Sequence, residues 1–445
     1  MPAYEVLAVS VPAAMPAKLL SACIDLPKTG LTAGVLTLRV AGWALGRESP
    51  ATAVEILYQP APGTARRGPE RVIRVTPIRG PRGEVAAAFP EVDPEIPCHF
   101  ESLVGVIGMT PEFELRLRVV LADGGRVEIG SVRVRREPLR TGYEPRLAPI
   151  VVSGLGRSGS TWLMALLAAH PEVVVYREFP YESRPTRYWM QALKVLAEPS
   201  NIVQSANPDT FQNDLWWTGH NPFHDIRVAN TPSHNEWFAR EYVERLATFF
   251  QRSADDWYGL VAETQGQPGA RRFAEKHLWP NYIPVLMREL YPSLKEVFLV
   301  RDFRDMALSI LSFDEKRGFA GFGRAEGSTD EEYVSSVLKP AAQSLMNSWR
   351  TRGRDSHLVR YEDLMAQPRA TLAAMFEYLE LDAGDPTLDA ILASAEMDSD
   401  EMRGHRTSRG AERSIGRWRR ERDDAFRAFS TETFAEELAA FGYDS

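Results

Sequence analysis

The sequence predicts two architectures in one chain: a small all-β domain of immunoglobulin-like sandwich type, then an α/β domain on a P-loop-like parallel sheet. Three observations predict this. The first third holds short runs of alternating apolar and polar residues between Pro/Gly loops. Beyond residue 141, short apolar strands alternate with helical patterns. A glycine-rich loop joins one of those strands to a helix.

In the first third, Val35–Val40 reads as a strand running into Gly42-Trp43-Ala44-Leu45. Val54–Tyr58, Arg71–Val75, Glu114–Leu121 and Arg126–Val134 follow. Apolar residues take every second position in Glu114-Leu115-Arg116-Leu117-Arg118-Val119, the period of a strand with one buried face. Ala122-Asp123-Gly124-Gly125 supplies a hairpin turn between the last two runs. Short strands in this number suggest a sandwich. The expected organisation is a lead-in segment over 1–27, the sandwich over 28–140, and the α/β domain over 141–445.

In the second part, Ile150-Val151-Val152, Val297–Val300 and His357–Tyr361 read as buried strands. Each precedes a helix: Ser160–His170, Arg304–Phe313 and Arg369–Leu379. Repetition of strand and helix builds a parallel sheet, because parallel neighbours need a long crossover.

Bulk properties narrow the function. At 445 residues, 44% hydrophobic and 25% charged, the chain is globular and long enough for two or three domains. A formal net charge of −8 argues against a nucleic-acid binder, so any anion must be met by a local basic cluster. The two cysteines, Cys23 and Cys98, fit no metal-ligand spacing and suit a reduced cytoplasmic protein. Met1–Leu20 lacks a basic leader start, and no run approaches the roughly 18 apolar residues of a membrane span. Richness in Ala, Arg and Gly hints at a bacterial source.

The strongest local signal is Gly154-Leu155-Gly156-Arg157-Ser158-Gly159-Ser160-Thr161. Such a loop aims backbone N–H groups at one point, and the helix start adds positive potential, a combination that holds phosphate. Gly154 and Gly159 have the spacing of the nucleotide-triphosphatase loop, but Ser160 stands where that motif has its phosphate-reaching lysine. This argues against ATP or GTP hydrolysis and moves the positive charge to Arg157. The competing reading is a Gly/Ser turn that caps its helix through Ser158 or Ser160.

A second segment, Val300-Arg301-Asp302-Phe303-Arg304-Asp305-Met306-Ala307-Leu308-Ser309, places an arginine directly after a buried strand, where ligand residues collect in open α/β sheets. Taken alone, Arg301 serves equally well as an ion-pair partner.

Together these segments resemble the PAPS-dependent sulfotransferase family, in its carbohydrate-type, bacterial branch, PAPS being 3′-phosphoadenosine 5′-phosphosulfate. Gly154–Thr161 with Trp162 after it is similar to the family's 5′-phosphosulfate loop, and Arg301 to Ser309 to its 3′-phosphate motif. Val359-Arg360-Tyr361-Glu362-Asp363-Leu364 resembles a later strand, and Arg413-Ser414-Ile415-Gly416-Arg417-Trp418 the loop that folds over the nucleotide. The resemblance covers about 148–420 and stops short of the β module. It implies a sulfotransferase domain with PAPS as co-substrate and no metal. Arg157 and the backbone of Gly156, Ser158, Gly159, Ser160 and Thr161 would hold the 5′-phosphosulfate. Trp162 would stack near the adenine, with Tyr361 beside the base. Arg301 and Ser309 would grip the 3′-phosphate, and Arg413, Ser414, Gly416, Arg417 and Trp418 would complete that grip. Arg157 stands where the family often has lysine, and a forked guanidinium serves the same anion. The charge pattern agrees: residues 403–422 hold eight arginines against two glutamates, a local net of +6. A solvated basic loop is the bland alternative.

Sulfuryl transfer asks for positioning, a cation for the leaving phosphate and a base for the acceptor hydroxyl. Glu178, after His170–Arg177, resembles the catalytic glutamate of carbohydrate-type members and is the expected base. Burial in a cleft would raise its pKa. Glu182 is the competing carboxylate, and a salt bridge to Arg177 or Arg184 the structural reading of Glu178. Lys276 in Ala274-Glu275-Lys276-His277-Leu278 resembles the family's catalytic lysine. Small-molecule members place a catalytic histidine two residues after it. Here that position is Leu278, and His277, one residue early, is the alternative base.

Phe179 to Trp279 carries six of the ten tryptophans, Trp189, Trp216, Trp217, Trp237, Trp257 and Trp279, with His220, His224 and Arg227 among them. Aromatic platforms suit sugars and amphipathic molecules, although most such residues build core. A glycan or glycoconjugate hydroxyl is the expected acceptor. Trp43 in the β module is as much core as ligand contact. Two other functions compete. A P-loop small-molecule kinase would need a phosphate-reaching lysine and a Mg²⁺ carboxylate; Asp302 and Asp305 could be proposed for the metal, but they follow the wrong strand context. A non-catalytic glycan-binding adaptor would leave Glu178, Lys276, Arg301 and Ser309 without a role.

Overall fold

The computed structural model describes residues 3–60, 71–197, 237–278, 283–394 and 412–444. The chain divides into two compact units: Met1–Tyr143 with Tyr188–Phe250 and Val285–Leu290, and Glu144–Arg187 with Gln251–Pro284 and Tyr291–Ser445.

The first unit is antiparallel β. Its strands are β1 (Tyr4–Ser10), β2 (Leu19–Leu26), β3 (Thr32–Ala33), β4 (Thr37–Gly46), β5 (Ala51–Pro60), β6 (Arg71–Pro77), β7 (His99–Gly105), β8 (Glu112–Leu121) and β9 (Arg126–Arg136). They form a six-stranded sheet, β3-β1-β9-β8-β5-β6, and a three-stranded one, β2-β4-β7. On β8 every second side chain is buried, as its alternation predicts. The Tyr4 hydroxyl donates to the Thr37 carbonyl at 3.1 Å, joining the two sheets across the core. Residues 1–27, expected as a lead-in, instead supply β1 and β2. Their short, alanine-rich runs carry a weak strand signal, and β1 is fixed by pairing with β9 more than a hundred residues later.

The outer face of the larger sheet neutralises its own charge. Glu55 receives Arg118 at 2.7 Å and Arg126 at 3.2 Å, Arg135 reaches Glu112 at 2.8 Å, and Arg116 pairs with Glu128. Most of these are pairs of opposite sign on neighbouring strands, and Arg126 reaches Glu55 across β8. Trp43 packs edge-on to Phe89, at 5.9 Å, in a small cluster with Leu45, Val85 and Cys98.

The second unit is α/β. Its strands β10 (Ala148–Gly154), β11 (Val173–Val174), β12 (Arg272–Leu278), β13 (Lys295–Val300) and β14 (Ser356–Arg360) pair in parallel in the order β11-β12-β10-β13-β14. The helices that matter below are α1 (Ser160–Ala169), α2 (Val243–Thr264), α3 (Phe303–Arg317), α4 (Pro368–Leu379) and α5 (Arg417–Glu421). Leu163, Leu166 and Leu167 of α1 and Leu372, Met375 and Phe376 of α4 cover one face of the sheet, over Ile150, Val152 and Leu299. Phe303, Met306 and Ile310 of α3 cover the other, over Phe298 and Val300. Strands of a sheet covered on both faces tend to be apolar runs, which makes β10 and β13 legible in the sequence. After β10 the chain builds β11 and β12 on one side, then crosses to β13 and β14 on the other. That reversal opens a crevice at the carboxyl ends of the strands, where ligands of such sheets bind.

Candidate active site

The glycine-rich loop leaves β10 at this crevice. Its backbone turns twice through the left-handed region, at Arg157 (φ 65°) and Gly159 (φ 92°). A Cβ on Gly159 would stand 2.4 Å from the Tyr361 ring, and one on Gly156 would stand 2.8 Å from Phe322. Only glycine allows these approaches. Gly159 is the N-cap of α1 and no side chain caps the helix. Ser158 instead donates to the Leu155 carbonyl at 2.8 Å, which removes the capping-turn reading for it. The first amides of a helix have no intrahelical acceptor, so an uncapped start turned to the crevice is an anion seat.

Arg157 bends back from the loop. Its Nε donates to Ser309 Oγ at 3.3 Å and its guanidinium lies 4.3 Å from the Phe313 ring centre. Burial, with Arg301, Arg317 and Arg417 nearby, pushes its pKa down to about 10. Arginines crowded in this way favour an anion among them.

Arg301 follows β13 and ties three segments together. One Nη donates to the Arg157 carbonyl at 3.2 Å and the other to the Ser414 carbonyl at 2.5 Å. The guanidinium lies 4.8 Å from the Tyr361 ring centre, and the Tyr361 hydroxyl shares a 2.9 Å hydrogen bond with Ser414 Oγ. Arg301 is 6% exposed, yet its Nε is buried without a partner among the described residues. An orphaned buried donor costs stability until something accepts from it. Gly156, Arg157, Ser158, Gly159, Ser160, Thr161, Arg301, Ser309, Tyr361 and Ser414 thus all belong to one constellation.

Others are placed differently. Trp162, expected beside the adenine, is 7% exposed and packs in the core with Ile150 and Leu166, because α1 buries nearly its whole first half between sheet and helices. Arg413 is exposed. Arg417 binds Glu421 at 2.8 Å and Ser312 at 3.2 Å, and the guanidinium groups of Arg304 and Arg419 lie over Trp418. Residues 403–411 of the basic run lie outside the described residues.

β12 brings the expected cation. Lys276, 1% exposed, donates to the Pro180 carbonyl at 2.6 Å, faces Thr161 Oγ1 at 3.4 Å, and pairs with Glu182 at 3.3 Å. Burial pushes its pKa down to about 8, against the pull of Glu182. Glu182 in turn binds Arg184 at 3.2 Å. Glu178 is exposed, contrary to the buried carboxylate expected of it, because it stands on the outer side of the turn closed by its own carbonyl and the Tyr181 amide. Phe179 and Tyr181 follow it, their rings edge-on to each other at 6.4 Å.

His277 does not join this group. Successive strand residues point to opposite faces. His277 therefore lies with Glu275, its Nε2 3.2 Å from Glu275 Oε2, away from Thr161. Glu275 also accepts from the Thr186 amide at 2.8 Å, the Arg187 amide at 3.2 Å and the Tyr258 hydroxyl of α2 at 2.8 Å. Burial raises the Glu275 pKa, but these donors more than offset it and the net shift is downward. Burial lowers that of His277, with Glu275 opposing.

The kinase reading also loses its carboxylates. Asp302 caps α3 and binds Arg304 at 2.8 Å, and Asp305 accepts two backbone amides. Sequence reasoning missed the roles of Glu275 and Asp305, and four-residue spacing of Asp305 from Arg301 and Ser309 was the available signal for the second. Trp216, Trp217, Trp279, His220, His224 and Arg227 lie outside the described residues. Trp257 packs against Tyr176 at 5.4 Å.

Residues 149–385 match the family model described as "Sulfotransferase family". Among solved structures, the sulfotransferase domain of the curacin biosynthetic pathway aligns at 14% identity and a TM-score of 0.39, over 68% of this chain and 99% of that one. A retinol dehydratase in complex with androsterone and inactive cofactor PAP aligns at 14% and 0.37, over 75% and 91%. A sulfotransferase from Mycobacterium avium aligns at 14% and 0.33, over 68% and 78%. A comparison with curated proteins finds no match.

Proposed function

Because the chain belongs to the sulfotransferase family, we propose that this enzyme transfers a sulfuryl group from 3′-phosphoadenosine 5′-phosphosulfate to a hydroxyl of a carbohydrate or glycoconjugate. The observation that carries the donor assignment is the buried Nε of Arg301, unpartnered among the described residues and set between the Arg157 carbonyl and the Ser414 loop. It stands beside an uncapped helix start and crowded arginines, so the residues fit a ligand with two separate anionic groups.

When bound, the donor supplies a sulfuryl group already activated by its linkage to phosphate. The chain supplies the rest. Loop amides and Arg157 hold the anionic end, while Arg301, Ser309 and Tyr361 hold the nucleotide side. Lys276, beside Thr161, carries the positive charge that steadies the leaving oxygen. Glu178 takes the acceptor proton. It is exposed, two residues before the carbonyl that holds Lys276, and it precedes the Phe179–Tyr181 ring pair, which suits a sugar face. Glu182 is spent on Lys276 and Arg184. The β module, residues 28–140, serves as an accessory domain to the catalytic domain over 141–445, and the two free cysteines suit a cytoplasmic setting.

The test is calorimetric titration with the spent donor, 3′-phosphoadenosine 5′-phosphate, without Mg²⁺. Wild type binds it, and Arg301→Ala weakens binding by about 10- to 100-fold, the worth of a charged hydrogen bond. Absence of binding together with Mg²⁺-dependent ATP binding overturns the donor assignment.

A further inference from the structure

Asp305 lies within the second anion motif, and the proposed chemistry leaves it unused. It sits on α3 one turn before Ser309, on the same helix face. It is wholly buried, and burial pushes its pKa up. A carboxylate persists in such a place only when donors surround it. Its two oxygens receive the Gly416 amide at 2.6 Å and the Trp418 amide at 2.9 Å. The same loop meets the anion motif at two other points: the Ser414 carbonyl on Arg301 and the Ser414 hydroxyl on Tyr361. The loop is therefore held from the helix side by Asp305 and from the crevice side by Arg301 and Tyr361. Gly416, at φ 66°, gives the turn that points its amide at the carboxylate.

We infer that Asp305 is a positioning residue for 3′-phosphate recognition: it keeps the Arg413–Trp418 loop in register with Arg301, so preference for a nucleotide bearing that phosphate depends on a side chain bound to the loop backbone. The inference rests on the donor assignment above. Asn at this position has one acceptor and one NH₂ group, so one loop amide would face a donor and the loop would shift away from Arg301.

The experiment titrates the full chain with 3′-phosphoadenosine 5′-phosphate and with adenosine 5′-phosphate, which differ only in the 3′-phosphate. In Asp305→Asn the ratio of the two affinities drops by about tenfold or more, while adenosine 5′-phosphate binding stays within about threefold of wild type. A purely structural role would weaken both nucleotides together. Gly416→Ala strains the same turn without altering the Asp305 side chain and lowers the ratio in the same direction by a smaller factor; it decides the matter if Asp305→Asn does not fold. An unchanged ratio in the folded variants, or equal loss for both nucleotides, overturns the inference. A wild type that shows no preference for the 3′-phosphate overturns the donor assignment itself, and this role with it.

Discussion

The two faces of β12 carry ionisable side chains under opposite conditions. On one face Glu275 receives donors from Thr186, Arg187, Tyr258 and His277 and is 1% exposed. On the other, Lys276 is equally buried but meets one carbonyl, one hydroxyl at 3.4 Å and a half-exposed Glu182. The Glu275 carboxylate is held low by its donors, although Nδ1 of His277 beside it is buried with no partner among the described residues. The Lys276 ammonium has an acceptor for each of its donors, one of them long and one half-exposed, and burial pushes it down to about 8, where an arriving anion changes its state. A charge held by its partners marks scaffold and a charge loosened by burial marks chemistry, within one strand and between adjacent residues.

The sharpest way to break this contrast is Lys276→Ala. Loss of a cation aimed at the leaving oxygen lowers kcat by on the order of 10³. The lysine works protonated, so wild-type kcat/KM falls as pH rises through about 8. That alkaline limb disappears in the variant. In the wild-type kcat profile it moves upward, because bound anionic donor favours the ammonium form. A pH-rate series on both proteins checks all three statements.

The carboxylates near Lys276 sharpen it further. Glu178→Gln removes the proposed base and lowers kcat on the order of 10² near neutral pH. Glu182→Gln leaves a base in place and costs about tenfold or less, the worth of one exposed charge contact. Its signature is in the pH profile: Glu182 raises the Lys276 pKa, so its loss moves the alkaline limb below 8. The reverse ranking would make Glu182 the base.

The legible parts of this molecule were those whose physics is local. The phosphate loop announces itself because close approach asks for glycine at Gly156 and Gly159, and positive φ asks for it at Gly159 as well. β10 and β13 show as apolar runs because both faces of the sheet are covered. β12 did not show as a strand: four of its seven residues, Arg272, Glu275, Lys276 and His277, are ionisable, yet all seven are buried. Their partners lie far off in sequence, at Thr186, Tyr258 and Pro180, and composition carries no trace of them. The role of Asp305 was hidden for the same reason, since its donors are amides more than a hundred residues on. The expected role of Trp162 rests on its place in a motif, and α1 packs it, 7% exposed, with Ile150 and Leu166.

The gentlest prediction concerns His277, where the strand's alternation met its clearest rival. Gln at this position can keep the hydrogen bond to Glu275, because its amide nitrogen stands where Nε2 stands, but it cannot titrate. Activity in His277→Gln stays within about threefold of wild type, and stability near pH 8 drops by about 1 kcal/mol, as for one perturbed buried hydrogen bond. The pH dependence carries more information. Burial holds the folded imidazole below its ordinary value of 6.5. As pH falls through 6.5 the unfolded chain takes up a proton that the folded chain refuses, so wild-type stability declines on the acid side. His170 and His357 are depressed in the same direction, so the variant flattens this decline without abolishing it. Urea unfolding midpoints from pH 8 to 5 measure the difference. A loss of activity on the order of 10² in this variant would instead return His277 to the role of base and erase the distinction between the two faces of β12.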